Sequence, residues 1–372
     1  MQYTEFCSNK ISRLGYGCMR FPKVEGSDYE IDEKKASELL EYAYSHGVNY
    51  YDTAWPYHMK TSERFLGSFL KTKDRSTFFV ATKLPLFNLK CIEEAEEIFN
   101  KQRENLGLEY FDYYLLHAVN KERFEMIKKL GLYEFLVKKK EEGLIRNLGF
   151  SFHDTPQVLD EITNTYSFDF AQIQLNYIDW ELQNARLQYL ILTSKDIPVI
   201  VMEPCRGGAL SVLGEETEDI LTSCSPDNSI SSWAFRYVKE LENVHVVLSG
   251  MSNMEQLKDN IKTFSEDNPF DEKERKALDA AIRSFLSNKT IKCTKCRYCM
   301  PCSVKIEIPE VFSAYNSYLL SKDKNAFIKS YSKMEVKAGK CIDCQKCVKA
   351  CPQGLEINKL VKEVDRTYMA IR

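Results

Sequence analysis

The chain has 372 residues, 44% of them apolar, which is enough for one large domain and one small one. A formal charge of −3 provides no strongly basic face, so nucleic acid is excluded as an expected partner. No apolar run approaches the ~20 residues that a bilayer requires, and residues 1–10 are too polar for a signal peptide; the expectation is a cytoplasmic protein with no membrane partner.

Short β-rich runs fall at 13–17, 49–54, 77–84, 111–118, 145–152, 168–177, 197–204 and 244–251. Several are apolar throughout rather than alternating, as expected of parallel strands buried on both faces. Between them lie stretches of helical period, clearest at 32–46, 62–71, 92–106, 121–142 and 230–241. Strand alternating with helix means βαβ units, and eight of them suggest a (β/α)8 TIM barrel. An open doubly wound sheet is the alternative, but no GxGxxG turn follows an early strand. A further helix at 272–286 leads out of this region. The expected organisation is a barrel over 1–270, a connecting helix over 271–290 and a small, mostly helical domain over 291–372, where the spacings Cys293-x-x-Cys296-x-x-Cys299 and Cys341-x-x-Cys344-x-x-Cys347 make it ferredoxin-like and iron–sulfur-binding.

Of 13 cysteines, Cys7, Cys18, Cys91, Cys205 and Cys224 are scattered and read as small apolar residues. The other eight form two groups. The spacing Cys341-x-x-Cys344-x-x-Cys347-x-x-x-Cys351-Pro352 is that of bacterial ferredoxins, in which three close thiolates wrap one cluster and the fourth cysteine ligates the other. The first group, Cys293-x-x-Cys296-x-x-Cys299-x-x-Cys302, is one residue shorter at its last step and has Ser303 where proline is usual. Residues 306–312 and 314–320 after it read as helices. In the crossed arrangement Cys293, Cys296, Cys299 and Cys351 hold one [4Fe–4S] cluster, and Cys341, Cys344, Cys347 and Cys302 hold a second. Two structural zinc sites are the alternative, though they leave the third close cysteine and the Cys-Pro ending without a reason.

Three consecutive predicted strands each end in a polar residue: Asp52, Lys83 and His117. The C-terminal rim is where barrels do chemistry, and buried charges at strand ends are costly unless paired, so these residues are expected to face one another. Tyr57 lies in the loop just beyond Asp52.

Asn49-Tyr50-Tyr51-Asp52-Thr53-Ala54-x-x-Tyr57, Ser62-Glu63-x-x-x-Gly67, Ala81-Thr82-Lys83 and Leu115-Leu116-His117 together resemble the aldo/keto reductase superfamily, over roughly residues 10–265. With the cysteine-rich tail, the chain resembles the iron–sulfur aldo/keto reductases found in many anaerobes. The resemblance implies that Tyr57 supplies a proton to a carbonyl oxygen, Lys83 activates it, Asp52 holds Lys83, and His117 orients the substrate. The chemistry supports these roles. A free tyrosine, with a pKa of ~10, is a weak acid at neutral pH, whereas an ammonium ~4 Å away at an effective dielectric of ~20 contributes up to ~4 kcal/mol.

The family holds the nicotinamide amide with a serine and a glutamine, which fall here at Ser151 and Gln172; Phe152 stands where asparagine usually follows. Met202 replaces the usual stacking aromatic. Ser249 and Gly250, with Gln256 and Asn260, resemble the adenosine loop, but the positions that grip a 2′-phosphate fall at Gly250 and Gln256, neither charged. A nicotinamide cofactor, NAD(P)H, is implied, with NADH and NADPH both open. Arg206-Gly207-Gly208 reads either as a pyrophosphate-binding turn, through backbone N–H groups and the Arg206 charge, or as a surface turn.

The expected function is an oxidoreductase that reduces a carbonyl or oxidises an alcohol, with two clusters moving single electrons. Its partners would be a small carbonyl or alcohol substrate and an external electron-transfer protein. Nicotinamide moves two electrons and each cluster one, so either a flavin joins them, the clusters act in another step, or they are structural; no flavin motif is visible. The alternative function is a non-catalytic redox sensor or electron-transfer adaptor that binds a nucleotide in the barrel.

Overall fold

The computed structural model describes residues 1–27, 29–87 and 89–372. Eight strands form a closed, all-parallel barrel: β1 (Leu14–Gly17), β2 (Tyr50–Asp52), β3 (Phe79–Leu84), β4 (Phe111–Val119), β5 (Ile145–Phe152), β6 (Phe170–Gln174), β7 (Val199–Met202) and β8 (Val244–Ser249). Each pairs with the next, and β8 closes on β1 through Val247 opposite Leu14. The expected strands are all present, most of them trimmed by a residue or more at their ends. The open-sheet alternative is excluded.

Because strand side chains alternate with a period of two, the same face of β2, β3 and β4 carries Tyr50 then Asp52, Ala81 then Lys83, and Tyr113, Leu115 then His117. The first members, with Phe170, Ile200, Val246 and Leu248, make an apolar core. The polar members stand one layer above this floor.

Three local expectations change. Residues Tyr3–Phe6 and Asn9–Ser12 form an antiparallel hairpin, and its Phe6 and Ile11 pack into the barrel core. Its turn uses Cys7 and Ser8 at φ 48° and 64°, with no glycine or asparagine to announce it. The single helix expected over 121–142 is two, Lys121–Leu130 and Leu132–Glu141, broken at Gly131, whose φ is 64°. The two helices expected over 306–320 are one, Ile308–Ser321, with Pro309 tolerated in its first turn.

The chain makes two compact units, Met1–Pro204 with Ala234–Pro269, and Cys205–Trp233 with Phe270–Arg372. All eight strands lie in the first. The expected boundaries followed chain order; the observed units do not, since the segment after β7 joins the cysteine-rich half. In the second unit helix Glu215–Cys224 packs on helix Glu272–Ser287, with Thr217 bonded to Ser284 at 2.7 Å and Ser225 donating to Glu274 at 2.8 Å. Helices Ile308–Ser321, Lys324–Ser332 and Ile357–Ile371 surround a separate core of Ile306, Phe312, Phe327, Tyr331, Val361 and Val364, against which six of the eight grouped cysteines pack.

Candidate active site and cluster sites

Lys83 is fully buried and Asp52 nearly so. The Lys83 ammonium donates to both Asp52 carboxylate oxygens at 2.7 Å and to the Thr53 carbonyl at 2.8 Å, which occupies all three of its N–H groups. Burial pushes the Asp52 carboxyl up, against the pull of Lys83. The ammonium lies 5.4 Å from the centre of the Tyr57 ring. With its three N–H groups taken, the ammonium has none left to donate to the Tyr57 phenol. Tyr57 in turn meets His117 edge to face, with ring centres 6.0 Å apart.

The Ser62/Glu63/Gly67 motif explains how Lys83 is held. Glu63 is buried and accepts from Thr82 at 2.6 Å and from Gln102 at 2.5 Å, and Gln102 also donates to the Lys83 carbonyl at 3.0 Å. Ser62 bonds Thr53 at 2.9 Å. Gly67 lets this helix approach the next, because a Cβ there would lie 2.4 Å from the Asn105 carbonyl oxygen.

His117 sits at a break in register, where β4 pairs β5 through Leu116 and then Val119. Such a bulge re-aims a side chain. The next residue, Ala118, has φ 53° and is gripped at both ends: its N–H donates to Ser151 at 2.7 Å, and its carbonyl accepts from Arg123 at 2.5 Å. The Arg123 guanidinium stacks 4.3 Å from the Phe87 ring centre, and Phe87 meets His117 edge to face. Burial, with the nearby positive charges of Lys83 and Arg123, holds His117 well below the ordinary histidine range, so its imidazole is neutral.

Gln172, on β6, is buried; its amide nitrogen reaches the Met202 sulfur at 3.5 Å, while its oxygen has no hydrogen-bond partner among the described residues. An orphaned acceptor of this kind suits the amide N–H of a nicotinamide, and Ser151 keeps its hydroxyl proton to donate. Asn260 donates to Ser249 at 2.9 Å and Gln256 accepts from the Ser252 N–H at 2.9 Å, so the loop after β8 is already formed. Gly250 packs on the Arg20 side chain, and Arg20 pairs with Glu203 at 3.3 Å. Arg206 departs from both sequence expectations: it is neither held open for pyrophosphate nor on the surface, but buried, donating to Gln353 at 3.3 Å.

The two cysteine groups, unequal in sequence, have one backbone pattern. Lys295 and Arg297 in the first loop, and Asp343 and Gln345 in the second, adopt left-handed φ of 54°, 64°, 59° and 58° at matching places between the cysteines. After the last cysteine the match continues. Lys305 (φ 61°) and Gly354 (φ 62°) donate back to Cys302 and Cys351, and Glu307 and Glu356 start the helices. The shorter spacing of the first group thus alters only the step before Cys302.

Cys302, Cys341, Cys344 and Cys347 line one small pocket with Ile306, Ile308 and Val361. Cys299 is crowded by Cys296, Cys293 and Cys351; burial, with those three thiols, pushes it up to about 12. Four cysteines gathered in this way suit the thiolate ligation of an iron–sulfur cluster, so the residues fit such a group.

Residues 13–283 match the model of the aldo/keto reductase family, and residues 292–356 match a 4Fe-4S dicluster domain. The chain belongs to the aldo/keto reductase family. Among curated relatives, this reductase is 26% identical to L-galactose dehydrogenase of Arabidopsis thaliana over 282 residues, 69% of this chain and 85% of that protein. It is 26% identical to D-arabinose 1-dehydrogenase of Saccharomyces cerevisiae over 255 residues, 59% of this chain and 74% of that one. A holo-form aldo-keto reductase of Bacillus halodurans superposes with a TM-score of 0.63 at 24% identity, covering 76% of this chain and 96% of its own. An aldo-keto reductase of Klebsiella pneumoniae in complex with NADPH gives 0.59 at 17%, covering 75% and 95%. The reductase is an oxidoreductase with a barrel and a helical 4Fe-4S dicluster domain, and among the described residues no helix is long and apolar enough to cross a membrane.

Sequence reasoning missed Arg20, Phe87, Arg123 and Glu203. None belongs to a motif or ends a strand with regular pairing; only their positions in loops and helices following barrel strands could have marked them.

Proposed function

We propose that this aldo/keto reductase reduces a small carbonyl, or oxidises the corresponding alcohol, with NAD(P)H at the barrel rim. We further propose that its C-terminal domain holds two [4Fe–4S] clusters that exchange single electrons with an external electron-transfer protein. The observation that carries the reading is the buried Lys83–Asp52 pair set against the Tyr57 ring, with neutral His117 on the other side.

A nicotinamide, when bound, supplies hydride to the carbonyl carbon. Tyr57 gives its proton to the oxygen, and the Lys83 field stabilises the phenolate that remains. Asp52 and the Thr53 carbonyl fix that ammonium in place. Neutral His117 orients the substrate oxygen and does not compete as an acid. Gln172 and Ser151 hold the carboxamide, and the Ser249–Asn260 pair keeps the adenosine loop in shape.

The clusters, when bound, supply one-electron steps, with Cys293, Cys296, Cys299 and Cys351 holding one and Cys341, Cys344, Cys347 and Cys302 the other. Cys344 is exposed, Ile342 beside it is 62% exposed, and Lys340, Lys346 and Lys349 form no ion pair among the described residues. This edge suits an acidic electron carrier.

Anoxic stopped-flow mixing with NADH, then NADPH, in the presence of aldoses and simple aldehydes tests the reading. Nicotinamide oxidation with a carbonyl, and iron with EPR signals from two reduced clusters, support it. No oxidation with any carbonyl would favour an adaptor; stoichiometric zinc without iron would end the cluster assignment.

A further inference from the structure

The turn after β7 sets a buried cation beside the first cysteine loop and the segment after the second. Arg206, Gly207 and Gly208 are successively left-handed, with φ of 52°, 66° and 93°. Gly207 is pressed so closely on the first cysteine loop that a Cβ would lie 1.9 Å from the Thr294 carbonyl oxygen. Thr294 itself is buried, next to Cys293. Arg206, only 3% exposed, donates to Gln353, two residues past Cys351. The turn lies in the same compact unit as these segments. Cys293 and Cys351 are far apart in sequence but belong to one expected crossed set, so the turn touches segments that adjoin both.

We propose that Arg206 is a positioning residue for the cluster held by Cys293, Cys296, Cys299 and Cys351, and that its buried charge raises that cluster's reduction potential. The inference rests on the two-cluster reading above. A cluster with four thiolates is an anion, and reduction adds one more negative charge. A guanidinium does not deprotonate in a protein, so Arg206 remains a fixed cation where water screens it poorly. It therefore stabilises the reduced form more than the oxidised one. On this proposal the anion that Arg206 serves is the cluster and not a pyrophosphate. Gly207 has a separate part, since any side chain there would push the Thr294 segment and its neighbouring cysteine out of place.

The test is an EPR-monitored redox titration of the full-length, cluster-loaded protein, comparing wild type with Arg206→Met and Arg206→Lys. In Arg206→Met the reduction equilibrium of one cluster should fall tenfold or more, 59 mV for a one-electron couple. The other cluster should not move, and iron content should hold. Arg206→Lys should stay near wild type. Unchanged potentials in Arg206→Met, with both clusters present, would overturn the assignment, as would an Arg206→Lys shift equal to that of Arg206→Met. If Arg206→Met fails to load one cluster, Arg206→Lys carries the test: loading at the wild-type potential supports the charge, and failure to load refutes it. A wild-type protein without clusters would instead remove the reading on which the inference rests.

Discussion

Replacing Lys83 by methionine separates the two things its ammonium does. In the fold, Lys83 neutralises a buried carboxylate through two 2.7 Å bonds. Removing it leaves Asp52, already pushed up by burial, without its counter-charge, so the carboxyl takes up a proton. Breaking a buried pair from one side costs about 3–5 kcal/mol. In the reaction, the ammonium lies 5.4 Å from the Tyr57 ring centre. At an effective dielectric of about 20 that separation is worth about 3 kcal/mol, or about two orders of magnitude in turnover. Urea unfolding followed by circular dichroism reads the first effect, and initial rates of carbonyl-dependent NAD(P)H oxidation read the second. The double variant Lys83→Met/Asp52→Asn removes the stranded charge and should regain most of the stability with none of the turnover. A Lys83→Met protein that melts and turns over like wild type would refute the reasoning, and so would a double variant that recovers its rate.

Tyr57→Phe should lose at least about 10²-fold in turnover while unfolding and iron content stay at wild-type values, because only the transferable proton is removed. Gly67→Ala should lower the unfolding free energy by about 1–3 kcal/mol, read from urea unfolding, since its Cβ would meet the Asn105 backbone and not a movable side chain; a neutral result would contradict the close helix approach. Burial holds His117 and His153 below the ordinary value of 6.5, His153 at about 4. Both therefore take up protons on unfolding, so stability should be full above about pH 6.5 and decline as pH falls toward 4. His153→Gln should flatten that decline, as read by thermal melts across the range. Cys351→Ser and Cys302→Ser should each perturb a different EPR signal, Cys351→Ser the one shared with Cys299→Ser; a shared target for Cys351 and Cys347 would argue against the crossed sets.

The barrel and its polar rim were legible because both rest on short-range rules. Apolar runs separated by helical periods imply parallel strands, and the period of two places Asp52, Lys83 and His117 on one interior face before any contact is known. The second cysteine group was equally plain, since its spacing is set by the size of a cluster rather than by the rest of the fold.

Other features depended on partners distant in sequence. The break at Gly131 and the hairpin turn at Cys7-Ser8 come from the path the chain must take around the barrel, which outweighs local preference. The first cysteine group looked irregular because Ser303 lacks the proline signal, yet Lys305 adopts the left-handed conformation that Gly354 supplies in the second. Arg206 is the sharpest case. Its own residues allow either an anion-binding turn or a surface turn, and its burial against Gln353, with Gly207 pressed on Thr294, comes only from the packing of the second unit. Local sequence sets what a segment can bind, and tertiary structure sets what it meets, because burial and charge pairing act across space and not along the chain.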